Sequence, residues 1–564
     1  MENSAARLNV AQRDAAIAFL RSRTLDVLVI GGGVVGAGAA LDAASRGLVV
    51  GIIEAQDWAS GTSSRSSKLI HGGIRYLEQL DFKLVREALV ERGRLLRTIA
   101  PHLVRAVPFL YPLTKPLYER VYVGAGMLLY DLFSYSGGHH PGVRFHKHLS
   151  RRQLREQLPG LGRQAYRGGL RYFDGQVDDA RLVSTLVRTA VTEGANAASR
   201  VSALHIQSGG TEPHVVLARD GETGERFEIR ARSIVNATGV WTEDSQAMLG
   251  APAALSVTMA KGVHIVVPRE RFRAEMGLII RAGASVLYII PWGEWWIIGT
   301  SDTPWHWDKT NPAPTSADID YLLEQANRVL DTPLTRDDIR GVYAGLRPLV
   351  SGKAQSTAKL SREHAVDVPR DGIAVIAGGK LTTYRVMAKD AVNAAVAGRF
   401  PAPPSRTKGL PLLGARRLDE ARAAASNLVR GLGLTDAVAD RLLGRYGDRI
   451  GEVLEPIGRD PRLADPIGGG CGALRAEALY AVTHEGALHV RDVVERRLRL
   501  SIESNDSGYE ATQEVAELMA AELGWSAVRV RDEVESYRTL VHQQHAAMKV
   551  PDDETANAIL ATLS

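Results

Sequence analysis

The sequence predicts an α/β chain that opens with a βαβ unit, continues into an antiparallel second sheet and closes with a helical part. Three observations carry this reading. A short apolar run at 26–30 leads into a glycine cluster, a helix-like stretch at 34–46 and a second apolar run at 49–53 that ends at Glu54. Strand-like segments recur at 200–205, 214–218, 226–229 and 233–236, and again at 263–267, 277–280, 286–291 and 295–299. Beyond residue 410, stretches rich in Ala, Leu, Arg and Glu at 418–431, 476–483 and 509–523 read as helices.

In the opening unit, Gly31, Gly33 and Gly36 follow a strand, start a helix and are followed eighteen residues later by Glu54. Bare backbone at those positions lets a pyrophosphate approach the helix N-terminus, whose free N–H groups and dipole favour anions; Glu54 can accept from ribose hydroxyls. A packing turn in an unrelated fold would use the same glycines, and only the surrounding strand, helix and acid favour the nucleotide. Residues 81–97 then read as an amphipathic helix, and 101–159 form a proline-punctuated insertion. Gly209-Gly210 and Asp220-Gly221 separate the next strands and predict an antiparallel meander. The second group of strands is expected to roof a substrate pocket. Its tryptophans (Trp292, Trp295, Trp296, Trp305, Trp307) are expected to pack in the core, with contact to lipid headgroups as the other reading. A strand at 373–377, then Gly378-Gly379-Lys380 and a helical stretch at 381–395, would aim backbone N–H groups at an anion; a plain strand-to-helix turn looks the same. The loop Pro401-Ala402-Pro403-Pro404-Ser405 marks the start of the helical part.

Composition narrows the function classes. With 564 residues, 45% hydrophobic and 24% charged, the chain is an ordinary globular one, neither disordered nor membrane-embedded. Cys471 is the only cysteine, so no intrachain disulfide or cysteine-rich metal cage can form, and no metal is expected. A net charge of +5 is too mild over this length to imply nucleic acid, but suits anionic substrates or lipid surfaces. The first residues lack the apolar core of a signal peptide, and the run 121–135 is shorter than the roughly 20 residues that span a bilayer and holds Asp131.

The run from Thr62 to Glu78 (TSSRSSKLIHGGIRYLE) closely resembles the FAD-dependent glycerol-3-phosphate dehydrogenase family. So do Asn236-Ala237-Thr238-Gly239 with Trp241, the segment Tyr343 to Pro348 (YAGLRP) and the segment Gly378 to Arg385 (GGKLTTYR). The resemblance spans residues 22 to about 400 and, less diagnostically, Asp492 to Leu500. Val240 stands where proline is usual, Ile74 replaces a leucine and Ser301 a threonine, none removing a group that the chemistry needs. The resemblance implies a glutathione-reductase-like FAD-binding fold with an antiparallel β-sheet substrate cap and a C-terminal helical domain. The expected division is 22–80, 165–250 and 340–405 for the FAD-binding domain, 81–164 and 251–339 for the cap, and 406–564 for the helical domain. The implied reaction is oxidation of sn-glycerol 3-phosphate to dihydroxyacetone phosphate, with electrons passed to a membrane quinone. An oxidase using O2, or an amine or amino-acid oxidase of the same fold, is the alternative. The expected partners are the substrate, the quinone, an anionic membrane surface and a second copy of the chain as a homodimer, with no nucleic acid. The expected location is cytoplasmic, peripheral on the inner face of the cell membrane, attached through 103–135 or the basic stretch 493–500.

For a phosphate dianion, planar guanidinium groups supply paired hydrogen bonds that ammonium cannot match. Within the resembling motifs, Arg75 and Arg347 are the expected clamps, with Tyr76 and Lys380 beside them. Removing the C2 hydroxyl proton calls for a group that titrates near neutrality. His264 is the expected base and His71 an orienting group, with the two assignments open to exchange; Arg347 would lower the energy of the alkoxide. Gly31, Gly33, Gly36 and Glu54 are expected to hold the cofactor, with Gly239 near its adenosine half. Thr62, Ser63, Ser64, Ser67 and Lys68 offer donors to its pyrophosphate or ring edges, although such a cluster would serve equally as a polar linker. Gly379, Lys380, Leu381 and Thr382 would face the edge where negative charge builds on reduction. With Cys471 far from these motifs, a cysteinyl link to FAD is not expected.

Overall fold

The computed structural model describes residues 6–78, 80–115, 118–138, 142–162, 165–250, 255–282, 285–350, 363–468 and 472–561; Cys471 lies outside them. Among the described residues the named strands form two sheets. The first runs in the order His364–Arg370, Ile373–Gly378, Arg226–Asn236, Thr24–Ile30, Val50–Glu54, Asn196–Ser199. Thr24–Ile30 pairs in parallel with both neighbours, as the crossover through helix Val34–Ser45 requires. Its residues alternate between two cores. Val27 and Val29 pack with helices Val34–Ser45, Asp179–Thr192 and Tyr384–Val396, whereas Leu25, Leu28 and Ile30 pack with Leu20, Ile206 and Ile229 on the other face.

The expected meander is present, as Val201–Gln207, His214–Asp220 and Arg226–Asn236, but it extends the first sheet. Its last strand, which the sequence suggests as two pieces, is continuous. The part next to His214–Asp220 alternates between exposed and buried, while the end from Ser233 to Asn236, parallel to Thr24–Ile30, is buried throughout.

The second sheet runs Thr303–Trp305, Val257–Pro268, Trp295–Gly299, Ser285–Trp292, Gly277–Ala282, Arg105–Leu113, Gly168–Gln176, Leu69–Ile70, with Gly341–Val350 beside Val257–Pro268 and Lys147–Leu149 beside Gly168–Gln176. Three of these strands, the short Leu69–Ile70 and the longer Gly168–Gln176 and Gly341–Val350, fall inside the segments expected for cofactor binding. Gly341–Val350 pairs along its full length with Val257–Pro268, and Gly168–Gln176 along its full length with Arg105–Leu113, so hydrogen bonding draws both into this sheet. Trp296 and Trp305 are completely buried, in line with core packing.

Beyond residue 405 the described residues are helical, including Leu418–Arg430, Arg475–Glu485, Ala511–Leu523 and Ala527–Ala547. The basic stretch 493–500, expected as a membrane-attachment element, is instead interior. Arg496, Arg497 and Arg499 are 3%, 2% and 3% exposed and pair with Asp57, Asp492, Asp178 and Asp179. The run of arginines resembles a solvated face in sequence because most of these acids arrive from distant parts of the chain. By contrast, helix Tyr118–Tyr135, within the other expected stretch, exposes Tyr118, Val121, Tyr122, Leu128, Leu132 and Tyr135. No helix among the described residues is long and apolar enough to cross a membrane.

Candidate active site

At the C-terminal ends of the parallel strands lies an elongated cleft of about 460 Å³. Gly31, Gly33, Glu54, Thr62, Ser63, Gly239, Gly379, Lys380 and Leu381 all line it. The glycines matter sterically. A Cβ on Gly36 would stand 1.9 Å from the Gly31 carbonyl oxygen, so the helix packs onto the strand end only without one, and Gly31 itself has φ +108°. Ser63 Oγ accepts from Val34 N at 3.0 Å, capping the helix that starts there. Glu54 accepts from Gly32 N at 2.6 Å and Gln56 N at 2.8 Å; burial pushes its pKa up against these bonds. Oε1 also accepts from Ser60 Oγ at 3.5 Å, while Oε2 retains a lone pair for a ribose hydroxyl. At the far end Gly378 and Gly379 take φ +77° and +80°, bending bare backbone around the cleft ahead of the turn Leu381–Thr383. The apolar length, the bare-glycine approach to the helix start and the acid at the strand end together fit a dinucleotide cofactor.

A second cavity of about 180 Å³ adjoins the cleft and shares Thr62, Ser66, Gly379, Lys380 and Leu381 with it. His71, Ser67, His264, Tyr288, Arg65 and Arg347 complete much of its wall. Strand Val257–Pro268 delivers His264, which is 2% exposed. Its Nε2 shares a hydrogen bond with Ser67 Oγ at 2.8 Å, and its ring stacks on Tyr343 at 4.7 Å and 9°. Burial first, then the cations Arg347 and Lys68, hold its pKa well below the usual histidine value, so the ring is neutral at physiological pH. Across the sheet, Arg347 donates from Nη1 to Asp302 Oδ1 at 2.8 Å and from Nη2 to Thr300 Oγ1 at 2.9 Å. A Cβ on Gly262 would come within 2.4 Å of Nη2, so that glycine makes room for the guanidinium.

Lys380 is buried, its Nζ 3.8 Å from the centroid of the Tyr76 ring, which stands behind it. His71 is fixed through its backbone: its N–H donates to Thr382 Oγ1 at 2.9 Å, and that hydroxyl donates to the His71 carbonyl at 3.0 Å. The side chain of Arg75 lies outside the described residues. Gly36 and Thr382 act from behind the cavities, and Ser64 and Lys68 line neither. Lys68 Nζ instead donates to Asp179 Oδ1 at 2.9 Å and to the Ser64 carbonyl at 3.1 Å. Ser67 turns toward His264 as well as lining the smaller cavity. Sequence reasoning missed Tyr343, Thr300 and Asp302 as supports of His264 and Arg347. Tyr343 opens the YAGLRP segment and was available as a signal; Thr300 and Asp302 carried none without the strand pairing.

The family model described as FAD dependent oxidoreductase matches residues 26–385, and that described as the C-terminal domain of alpha-glycerophosphate oxidase matches residues 405–530. Over 560 residues, 99% of this chain and 95% of the relative, the sequence is 48% identical to glycerol-3-phosphate dehydrogenase 2 of Mycobacterium tuberculosis. It is 36% identical to the mitochondrial glycerol-3-phosphate dehydrogenase of Homo sapiens, covering 94% of this chain and 75% of that one. Among solved structures, the glycerol-3-phosphate dehydrogenase of Bacillus halodurans complexed with FAD superposes with a TM-score of 0.76 at 27% identity, covering 94% of this chain and 97% of that one.

Proposed function

Since the chain belongs to the FAD-dependent glycerol-3-phosphate dehydrogenase family, we propose that it oxidises sn-glycerol 3-phosphate with His264 as the base and hands the electrons to a quinone in a membrane. FAD is its cofactor. The observation that carries the substrate reading is the small cavity beside the cofactor cleft, whose wall combines Arg347 and Lys380 with a neutral buried histidine. Two cations suit a phosphate dianion, and an amino-acid substrate would bring an ammonium group that they repel.

When bound, FAD supplies the acceptor for the hydride that leaves substrate C2. Arg347 and Lys380 bind the phosphate and fix the C2–H direction. His264 takes the hydroxyl proton at Nε2 by way of Ser67 Oγ, which passes its own proton to that nitrogen as it accepts the substrate's. The incoming dianion offsets Arg347 and so raises the basicity of a ring that is otherwise a weak base. His71, held by Thr382, orients the hydroxyl. His264→Gln is expected to slow anaerobic flavin bleaching by glycerol 3-phosphate by about 100-fold or more, and bleaching at the wild-type rate would remove His264 from this role.

The quinone reading is supported by the apolar face of Tyr118–Tyr135, which would dip into the cytoplasmic surface of the cell membrane, where quinones reside. A paired Val121→Glu and Leu132→Glu variant should lose about 10-fold or more in binding to anionic vesicles while keeping anaerobic flavin reduction; undiminished binding would sink this attachment. An O2-using oxidase is the second reading, favoured by the match of residues 405–530 to a model described from an oxidase. Hydrogen peroxide formed in step with product under air, with no quinone reduction on vesicles, would select it.

A further inference from the structure

We propose that Arg499, in the C-terminal part, is a positioning residue for the Ser67–His264 pair, acting through Asp179 and the loop 64–68. This deepens the reading of His264 as the base and rests on it. Arg499 lines neither cavity, yet it is 3% exposed and sits at φ +66°, a left-handed conformation that side chains other than glycine rarely adopt. That backbone aims the guanidinium into the base of the loop. Nη1 donates to the Ser64 carbonyl at 3.0 Å, and Nη2 donates to Asp178 Oδ1 at 2.6 Å and to Asp179. Asp179 passes the restraint on. Its carboxylate accepts from Ser66 N at 2.9 Å, from Ser66 Oγ at 2.7 Å and from Lys68 Nζ at 2.9 Å.

Ser64, Ser66 and Lys68 are thus held from beneath, and Ser67 projects the other way, onto His264 Nε2. A second link reinforces the first: Tyr343 donates from its hydroxyl to the Ser66 carbonyl at 3.1 Å and stacks on the His264 ring. A shift at Ser66 therefore moves both groups that set the imidazole. Charge explains why arginine is needed. Three cations, Arg499, Lys68 and Arg445, face the carboxylates of Asp178 and Asp179, and of the three only the forked guanidinium of Arg499 reaches both acids and the Ser64 carbonyl together.

The test compares Arg499→Lys, Ser67→Ala and the double variant in the FAD-loaded protein, by stopped-flow flavin reduction with glycerol 3-phosphate without air, per bound FAD. Each single variant is expected to lower the limiting rate by up to about 100-fold with the half-saturating substrate concentration moved less than about threefold. The double variant should be no slower than the slower single one, and the pH profile of Arg499→Lys should match that of Ser67→Ala. A wild-type limiting rate in Arg499→Lys, or single losses that multiply in the double variant, would overturn the proposal. Asp179→Asn, close to isosteric, interrupts the same chain at its middle and is read by the same criteria, so an Arg499 variant that fails to take up FAD still leaves the proposal exposed. His264→Gln separates the two failures: if it bleaches at the wild-type rate the base assignment falls, while the Arg499–Ser67 coupling is still measured by the cycle.

Discussion

The cofactor cleft and the ionic seam beneath it grip the same stretch of chain, residues 54–68, from opposite sides and by opposite means. On the cleft side the fold works by omission: missing Cβ atoms at Gly31 and Gly36, bare amides and an apolar lining. On the seam side it works by balance. Arg496 and Arg497 close on Asp57, Arg181 on Glu485, and Arg499 and Lys68 on Asp179, all buried, with Arg499 also reaching the partly buried Asp178. The first side tolerates no added atom at Gly31 or Gly36 and the second no lost charge, because a buried ion whose partner is removed keeps its desolvation cost without the compensating attraction.

The largest effect that would test this contrast lies in the seam. Arg497 holds Asp57 with two bonds of 2.7 Å, and Arg497→Met is expected to destabilise the protein by about 3–5 kcal/mol in denaturant unfolding of the FAD-loaded enzyme. A loss below about 1 kcal/mol would mean that Arg496 alone suffices for Asp57. Next comes the cleft. Gly36→Ala should weaken FAD uptake by about 100-fold in a fluorescence titration, with the seam intact and apo-protein helix content unchanged; normal uptake would contradict the omission account.

The smallest effect is a dependence on pH. Burial alone would depress His489, but hydrogen bonds to Glu222 and Glu533 outweigh it and raise its pKa to about 9. Its unfolded value is near 6.5, so its contribution is complete below pH 6.5 and is lost as the pH rises to about 9. Buried His102 and half-buried His484 go the other way, pushed down to about 3 and about 4 by desolvation and neighbouring arginines. They cost stability as the pH falls below 6.5. Melting temperatures from pH 5 to 10 should trace a maximum, and His489→Gln should flatten only its alkaline side. An unchanged alkaline limb in that variant would exclude His489 as its source.

Much of this was legible in the residues, for reasons of range. The βαβ opening declares itself because its glycines, helix and acid lie within thirty-odd positions and serve one local geometry. His264 and Arg347 were legible through the segments that carry them. The Ser67–His264 bond was not, since 197 positions separate the two residues and only the pairing of the second sheet brings them together. Arg499 was misread for the same reason, its carboxylate partners standing 321 and 320 positions away. Strand Arg226–Asn236 looked like two because its burial changes from one-sided to complete along its length, which alters the residue pattern without interrupting the strand.

The seam also bears on how such a chain can be cut or recombined. Ending it after the proline-rich loop near residue 405 would strand Asp57 and Asp178 without the arginines that neutralise them and leave Asp179 with Lys68 alone, although the nucleotide fingerprint would be whole. The N-terminal portion is therefore not a transplantable module: a chimaera that inherits those three acids must inherit Arg496, Arg497 and Arg499 too, or exchange both sets at once for matched apolar residues.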